Sequence, residues 1–509
     1  LSCGSSVRVA PESRKPEPGS SGLAVAGGMN TINFRSVLKL NGLILLISAS
    51  SFLLCIPVAL IYSEPVRPFL LAFVTAMIPG SLMYFPVQSP LHQKLTAREG
   101  YLSVTLGWFA LSLSGILPFA FSHEMHGFVN MFFESVSGYT TTGASTLADV
   151  ESLSKSILFW RSLTHWIGGI GIIVLVIIVL PSLKVGGYSL FSLESSLKEK
   201  IMPRTKSIAI TVLSIYLFLT ALLIVLLTAG GMSLFDSICH TFGTVATGGF
   251  STKNTSISGY SNYIQYLLGI FMFLSAASFV VYYFIFRRNF TRVKANEELW
   301  FYLFFTTASV VALTLLLYTG SERNFEVAFR HAFFQVTSII STTGYATTDY
   351  TLWPQAAMVL IFLLLFAGGS TGSTTGGIKM ARHLLALKNL RNVTVKLLHP
   401  SAVMPVKLNG QIVPDNINSL MTVFIQLYVL IFLAGMAIIL LSGIPAIEAA
   451  AASVTALSNV GPGMGASGNM GNYAHFNAVA KMTMVVLMII GRLEIFTILA
   501  LFTRTFWKR

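Results

Sequence analysis

Four times along this chain a short apolar run ends in a turn of Thr, Ser, Asn and Gly, with a longer apolar run on either side. The short runs cover residues 128–142, 234–245, 327–340 and 446–457. Coiled as helices they rise about 20 Å, against the roughly 30 Å of hydrocarbon in a bilayer. Such a run can only dip into a membrane and return. Irregular backbone at that depth is tolerated only where it is buried or lines a cavity. A unit repeated at this scale fixes an architecture.

The turns read Thr140-Thr141-Thr142-Gly143-Ala144-Ser145, then Val245-Ala246-Thr247-Gly248-Gly249-Phe250-Ser251. The third and fourth read Ser341-Thr342-Thr343-Gly344-Tyr345-Ala346-Thr347 and Ser458-Asn459-Val460-Gly461-Pro462-Gly463. Aligned on the runs before them, they equate Gly143, Gly248, Gly344 and Gly461, with the second register resting on Thr247 before Gly248.

Around the short runs, predicted full spans cover 37–62, 66–87, 101–121, 158–180, 208–229, 263–286, 299–318, a stretch from near Trp353, 417–441 and 477–506. The expected fold is therefore an all-α polytopic membrane protein. Four pseudo-symmetric repeats (span, pore helix, filter loop, span) surround one pore, after two extra N-terminal transmembrane helices. The predicted boundaries are 29–99 for the extra pair, then 100–206, 207–297, 298–416 and 417–509. Residues 1–28 carry no apolar period and are expected to be a disordered leader or an added extension, with Met29 a natural start.

Composition agrees. Hydrophobic residues make up 54% of the 509 and charged ones 10%, where a soluble domain carries about 25% charged. A β-barrel would show alternating strands of about ten residues instead. The net charge of +14 fits positive-inside loops rather than nucleic acid. Cys3, Cys55 and Cys239 are too few and too scattered for a disulfide framework or a metal site. With the N-terminus inside, Lys94, Arg98, Lys198, Lys200, Arg204, Lys206, Arg287, Arg288, Arg292, Lys294, the basic residues from Lys379 to Lys407 and those from Arg504 to Arg509 face the cytoplasm. The turns and most acidic residues, Glu134 and Asp236 among them, fall outside. The expectation is an acidic outer vestibule that concentrates cations.

Backbone carbonyls can replace the water an ion loses without a formal charge that would trap it. Glycine allows positive φ and keeps side chains out of a lumen. The candidate ion-binding residues are Thr141, Thr142, Gly143, Thr247, Gly248, Thr342, Thr343, Gly344, Asn459, Val460 and Gly461. The divergent fourth turn predicts modest cation selectivity. GxxxG-type helix packing is the plainer reading of any single turn. It does not account for four turns at matching places.

The third unit's last span is interrupted by Gly368-Gly369-Ser370-Thr371-Gly372-Ser373-Thr374-Thr375-Gly376-Gly377-Ile378-Lys379. So much glycine cannot sustain a helix, and the GxxxxGK[ST] order of a phosphate loop is absent. A flexible gate under the filter and a static kink both fit, the gate better. Lys379 is expected to be a cytoplasmic boundary charge. Arg492, within the last span, needs a cavity or a partner. It projects into the passage and repels cations, or pairs with Glu494 or with carbonyls of the Gly-rich loop, and the two can hold in different states. His165 and Trp166 are expected to pack between helices. No nucleophile–base pair, carboxylate pair or HExxH motif appears, so no enzyme is expected.

Together these motifs, with Gly491-Arg492-Leu493-Glu494-Ile495-Phe496-Thr497, resemble the TrkH branch of the Trk/Ktr/HKT potassium-transporter superfamily over about residues 34–507. The two extra N-terminal spans favour that branch. The resemblance implies potassium uptake across a bacterial inner membrane, with potassium as cargo and no cofactor on this chain. It implies filter glycines at Gly143, Gly248, Gly344 and Gly461, a gating loop over Gly368–Gly377 and a pore-facing Arg492. It also implies a homodimer and a cytosolic, nucleotide-binding, TrkA-like regulatory subunit. Ser373-Thr374-Thr375 is more hydroxyl-rich than the loops of that family. The alternative is a sodium- or proton-coupled secondary transporter. That would call for inverted repeats, whereas these units run parallel.

Overall fold

The computed structural model describes residues 32–87, 96–174 and 205–507. The expectations for residues 1–28, Lys94, Lys198, Lys200 and Arg204 lie outside them.

The N-terminal pair is α1 (Phe34–Phe52), continued through a 3₁₀ turn into α2 (Ile56–Ile61), and α3 (Arg67–Tyr84). The first unit holds α4 (Ala97–Ser114), α5 (Leu117–Ser122), the half-helix α6 (Phe128–Tyr139) and α7 (Lys155–Val174). The second holds α8 (Thr205–Ala229), the half-helix α9 (Leu234–Val245), α10 (Asn262–Ala276), α11 (Phe279–Phe286) and the short α12 (Phe290–Lys294). The third holds α13 (Glu297–Gly320), the half-helix α14 (Phe325–Ile340), α15 (Gln355–Leu364) and α16 (Met380–Leu398). The fourth holds α17 (Asp415–Leu441), the half-helix α18 (Ala446–Ser458), α19 (Ala478–Arg492), α20 (Ile495–Leu501) and α21 (Arg504–Trp507).

Helix starts follow from local chemistry. Thr96 and Glu99 form a reciprocal capping box on α4, while Ser233, Ser261, Asn296, Asn324 and Asn477 each accept an N–H from the first turn of the next helix. Six helical stretches among the described residues are long and apolar enough to cross a membrane.

Two spans expected to be continuous are not. α10 and α11 meet at 92°, and α19 and α20 at 108°. The first break has a clear cause. Ala277 and Ser278 are extended, and the groups they free are taken by the Gly-rich loop: Ser370 N–H donates to the Ala276 carbonyl (2.9 Å) and Phe279 N–H to the Gly372 carbonyl (3.2 Å). Backbone polar groups at this depth must find partners, and here one irregular segment satisfies another. Glu494, at φ +58°, turns the chain at the second break.

Among the described residues the all-α expectation holds apart from one small hairpin. Lys407–Leu408 pairs antiparallel with Gln411–Ile412. Asn409 and Gly410 both lie at positive φ (52° and 74°), the requirement of a two-residue type I′ turn. The Asn-Gly pair was the available signal.

Burial is arranged as a bilayer demands. Leu82, Phe304 and Leu430 are exposed on the outside, while Thr140, Thr142, Thr247, Thr343 and Thr374 at the centre are wholly buried. The hydroxyl-bearing interior is where the four half-helices end.

Candidate functional site

Each half-helix ends in the same backbone motif. Its final residues hand over to Thr141, Thr247, Thr342 and Asn459, all left-handed at φ 51°, 58°, 54° and 55°. The next N–H reaches back five residues: Thr142 to Ser137, Gly248 to Gly243, Thr343 to Ser338 and Val460 to Thr455, at 2.7–3.0 Å. This is the Schellman ending of a helix, here with Thr or Asn where glycine is usual. One residue further on, Gly143, Gly249, Gly344 and Gly461 again take positive φ, at 80°, 81°, 83° and 102°.

These positions correct the register of the second turn. Gly249, not Gly248, corresponds to Gly143, Gly344 and Gly461, and Gly248 stands where Thr142, Thr343 and Val460 stand. The left-handed residue sets the count, and Thr247 precedes Gly249 by two, as Thr141 precedes Gly143. The signal was Ser145 and Ser251, each two residues after the equivalent glycine.

The four turns close into a ring. A Cβ on Gly143 would strike the Gly248 carbonyl, one on Gly249 the Thr343 carbonyl, one on Gly344 the Val460 carbonyl and one on Gly461 the Thr142 carbonyl. Each turn thus abuts the next, and the fourth returns to the first. All four of these glycines line one outer cavity of about 130 Å³.

The turns are fastened in two ways. In the first, Ser137 Oγ donates to the Ala144 carbonyl (2.6 Å) and the Thr140 and Thr142 hydroxyls pair at 2.8 Å. In the third, Ser338 donates to the Tyr345 carbonyl (2.7 Å) and Ser341 pairs with Thr343 (2.7 Å). Glycine and alanine at 243 and 246 leave the second turn without these hydroxyls. Tyr345 reaches over instead, its hydroxyl 3.1 Å from the Phe250 carbonyl. In the fourth, the Tyr473 hydroxyl donates to the Gly461 carbonyl (2.9 Å), while Tyr473 N–H donates to Ser145 of the first turn (2.8 Å).

α7 braces the junction of turns one and two. His165 Nε2 accepts the Phe250 N–H (3.1 Å), so its proton sits on Nδ1, which donates to the Gly138 carbonyl (2.7 Å). Its ring stacks on Phe250 at 4.1 Å. The expectation of helix packing for His165 misses this polar role.

The charges at the mouth differ from expectation. Glu134 is buried and paired with Arg161 (2.6 Å), and it also accepts from Ser145 Oγ (3.0 Å) and Thr146 N–H (3.2 Å). Asp236 accepts from Thr252 (2.6 Å) and Ser233 (2.8 Å). Neither lines the cavity above the turns, whose charged lining residues are Arg161 and Lys253. The acidic vestibule is thus not formed by Glu134 and Asp236. Both carboxylates are consumed as structural acceptors, Glu134 by Arg161 and the residues just after the first turn and Asp236 by two hydroxyls. Further out, Asn254 donates to Asp149 (2.8 Å) and holds its carboxyl below the usual range. Glu134→Gln is expected to destabilise the protein by about 3–5 kcal/mol, because Arg161 would be left buried without its counter-charge. A melting curve in detergent checks it, with little change in apparent cation affinity expected.

Below the ring lies the Gly-rich loop. Ala367 and Ile378 form an isolated parallel bridge across its base. Its upper part is seated on three turns. Thr247 Oγ1 donates to Thr374 Oγ1 (3.3 Å), Gly376 N–H donates to Thr342 Oγ1 (2.9 Å), and a Cβ on Gly376 would strike the Ser458 carbonyl and Asn459. Within the loop, Gly369 N–H donates to Thr375 Oγ1 and Ser373 Oγ to the Ser370 carbonyl. Lys379, expected at the cytoplasmic boundary, instead folds back so that its ammonium donates to the Thr375 carbonyl and hydroxyl.

Of the readings open for Arg492, the structure has the carbonyl partners. Nη1 donates to Thr374 of the loop (2.7 Å) and Nη2 to Gly168 of α7 (3.1 Å). Glu494 is engaged by Arg382 (2.6 Å), whose guanidinium also lies 3.8 Å from the Phe424 ring centroid. Arg492 is buried, 2% exposed, beside the loop and the ring.

A multi-span helical membrane protein with bent helix pairs, buried re-entrant turns and an intramembrane loop is the construction of a membrane transporter. The family model for TrkH, described as cation transport protein, matches residues 66–508. The chain is 36% identical over 485 residues to the Trk system potassium uptake protein TrkH of Salmonella typhimurium and, equally, to that of Escherichia coli K12, covering 94% of this chain and 100% of each relative. It is 33% identical to the Trk system potassium uptake protein TrkG of Escherichia coli K12, covering 94% of this chain and 100% of the relative. The crystal structure of the potassium transporter TrkH from Vibrio parahaemolyticus superposes with a TM-score of 0.87 at 34% identity, covering 94% of this chain and 100% of the other. The chain belongs to the TrkH family of cation transport proteins, and it is not an enzyme.

Proposed function

We propose that this chain is a gated potassium-uptake pore of a bacterial inner membrane. The ion would bind among backbone carbonyls of the four turns. The observation that carries this reading is the closed ring, in which each turn's glycine abuts a carbonyl of the next and Gly461 returns to Thr142. Four equivalent carbonyl-bearing turns around one axis can replace an alkali ion's hydration shell. The ion-binding set is Thr141, Thr142, Gly143, Thr247, Gly248, Gly249, Thr342, Thr343, Gly344, Asn459, Val460 and Gly461. The names of the relatives, all potassium uptake proteins, supply the ion.

The Gly-rich loop seated under the ring, with Arg492 hydrogen-bonded to it, acts as the barrier that must move. Selectivity is modest, because the turns differ at the position occupied by Thr142, Gly248, Thr343 and Val460. The protein works as a homodimer under a TrkA-like cytosolic subunit that carries the nucleotide. Parallel units favour this pore over a sodium- or proton-coupled carrier.

Purified protein in liposomes tests the reading. Potassium uptake down an imposed electrochemical gradient is expected, with rubidium passing and sodium passing less well. No potassium flux at any membrane potential would end it, and strict dependence on a sodium or proton gradient would favour the carrier.

A further inference from the structure

The geometry points to Glu298 as the latch that holds the Gly-rich loop in its seated position and couples it to α16, an inference that rests on the pore reading above. Glu298 lies in the first turn of α13, and its side chain is buried. Its Oε1 accepts two backbone N–H groups, one from Thr371 in the loop (2.6 Å) and one from Ala381 in the first turn of α16 (3.0 Å). The two donors are ten residues apart in sequence and on opposite shoulders of the loop. One oxygen atom therefore fixes both.

The arrangement answers a need of α16. Lys379, its N-cap residue, makes no side-chain capping bond. The first N–H groups of a helix require outside acceptors, and a carboxylate there is favoured by the helix dipole. Glu298 supplies that acceptor from another helix, across 83 positions of sequence. Its neighbour Glu297 also meets α16. The Lys388 ammonium of α16 donates to it, and its N–H donates to Asn409 in the hairpin (2.8 Å). The start of α13, α16 and the hairpin thus form one tied body. A shift of α16 would pull Ala381 from Glu298, and the bond to Thr371 shares the same atom. The loop would then lose a tether and leave Thr247 and Thr342.

Glu298 is a positioning residue, and its role is to keep the passage closed until α16 moves. The test compares the full-length chain in liposomes with E298A, E298Q and E298D, reading potassium flux, the potassium-to-sodium flux ratio and deuterium exchange of the segment 366–382. E298A is expected to raise flux about five-fold or more, the low end of a coupling between two elements, with an unchanged flux ratio and faster exchange in that segment. E298Q keeps an oxygen that can accept both N–H groups, though more weakly than a carboxylate, and is expected to raise flux and exchange clearly less than E298A. E298D, one methylene short, should fall between them, and it decides the matter if E298A does not fold. Wild-type flux and exchange in both E298A and E298D would overturn the latch. So would an equal rise in E298Q and E298A, since charge rather than acceptor geometry would then be at work. If the wild-type chain itself carries no potassium, the pore reading fails, and exchange alone then judges the tether: faster exchange in E298A than in E298Q supports it and equal rates overturn it.

Discussion

Gly249→Ala is expected to abolish potassium uptake while the protein still reaches the membrane. Two costs combine at this position. The backbone sits at φ +81°, where a residue with a Cβ is disfavoured by about 1–2 kcal/mol. The Cβ would also meet the Thr343 carbonyl of the adjacent turn, which is backbone and cannot rotate aside like a side chain. Relief requires the second and third turns to separate, which moves the Thr343 carbonyl away from its place in the ring. Complementation of a potassium-uptake-deficient strain at low external potassium, together with rubidium tracer uptake, reads the effect. Loss of about 100-fold or more is expected, equivalent to roughly 3 kcal/mol. Growth indistinguishable from wild type would show that the second turn does not belong to the ion path in this register.

Arg492→Gln is expected to act in the opposite direction and raise uptake. The guanidinium is buried and bridges Thr374 of the loop to Gly168 of α7. Removing it takes away one tie on the loop and one positive charge near the passage. With an effective dielectric of about 20, a unit charge within roughly 8 Å of a passing ion would raise its barrier by about 2 kcal/mol, or about 30-fold in the rate of crossing. The maximal rate should rise by about that factor, with a smaller change in the potassium concentration at half-saturation. Initial rates of uptake across a range of potassium concentrations check it. A fall in rate with intact expression would make Arg492 a purely structural brace.

The half-helices, the extra N-terminal pair and the Gly-rich interruption were legible in the sequence because each is written as a run or a break in apolar periodicity. The breaks at Ala277–Ser278 and at Glu494 were not. Residues 263–286 and 477–506 read as single apolar spans, and what stops the helix at 277 is a partner from another unit: Ser370 N–H and the Gly372 carbonyl take the backbone groups that the helix would have used. Long-range backbone pairing leaves no mark in local composition. The charges at the mouth escape the sequence for a related reason. Glu134 and Asp236 fall on the outer side by topology, yet each is a short-range acceptor for its own turn. Position along the membrane normal could be inferred from the chain; whether a carboxylate faces water or protein could not. The register of the second turn rests on a narrower point: two adjacent glycines do not by themselves say which one corresponds to Gly143, and only the serine spacing, Ser145 and Ser251, distinguishes them.

The alternate fastening of the turns gives the ring a hierarchy of support. Turns one and three hold their own shape through Ser137 and Ser338. Turn two leans on a phenol that belongs to turn three, and turn four on one whose segment is docked against turn one. A deformation starting in turn three therefore reaches turn two, while one starting in turn two leaves the Ser338 fastening of turn three intact. The two odd turns are the pillars of this assembly and the two even turns its lintels, so sequence drift in the even turns is cushioned while Tyr345 and Tyr473 stay where they are.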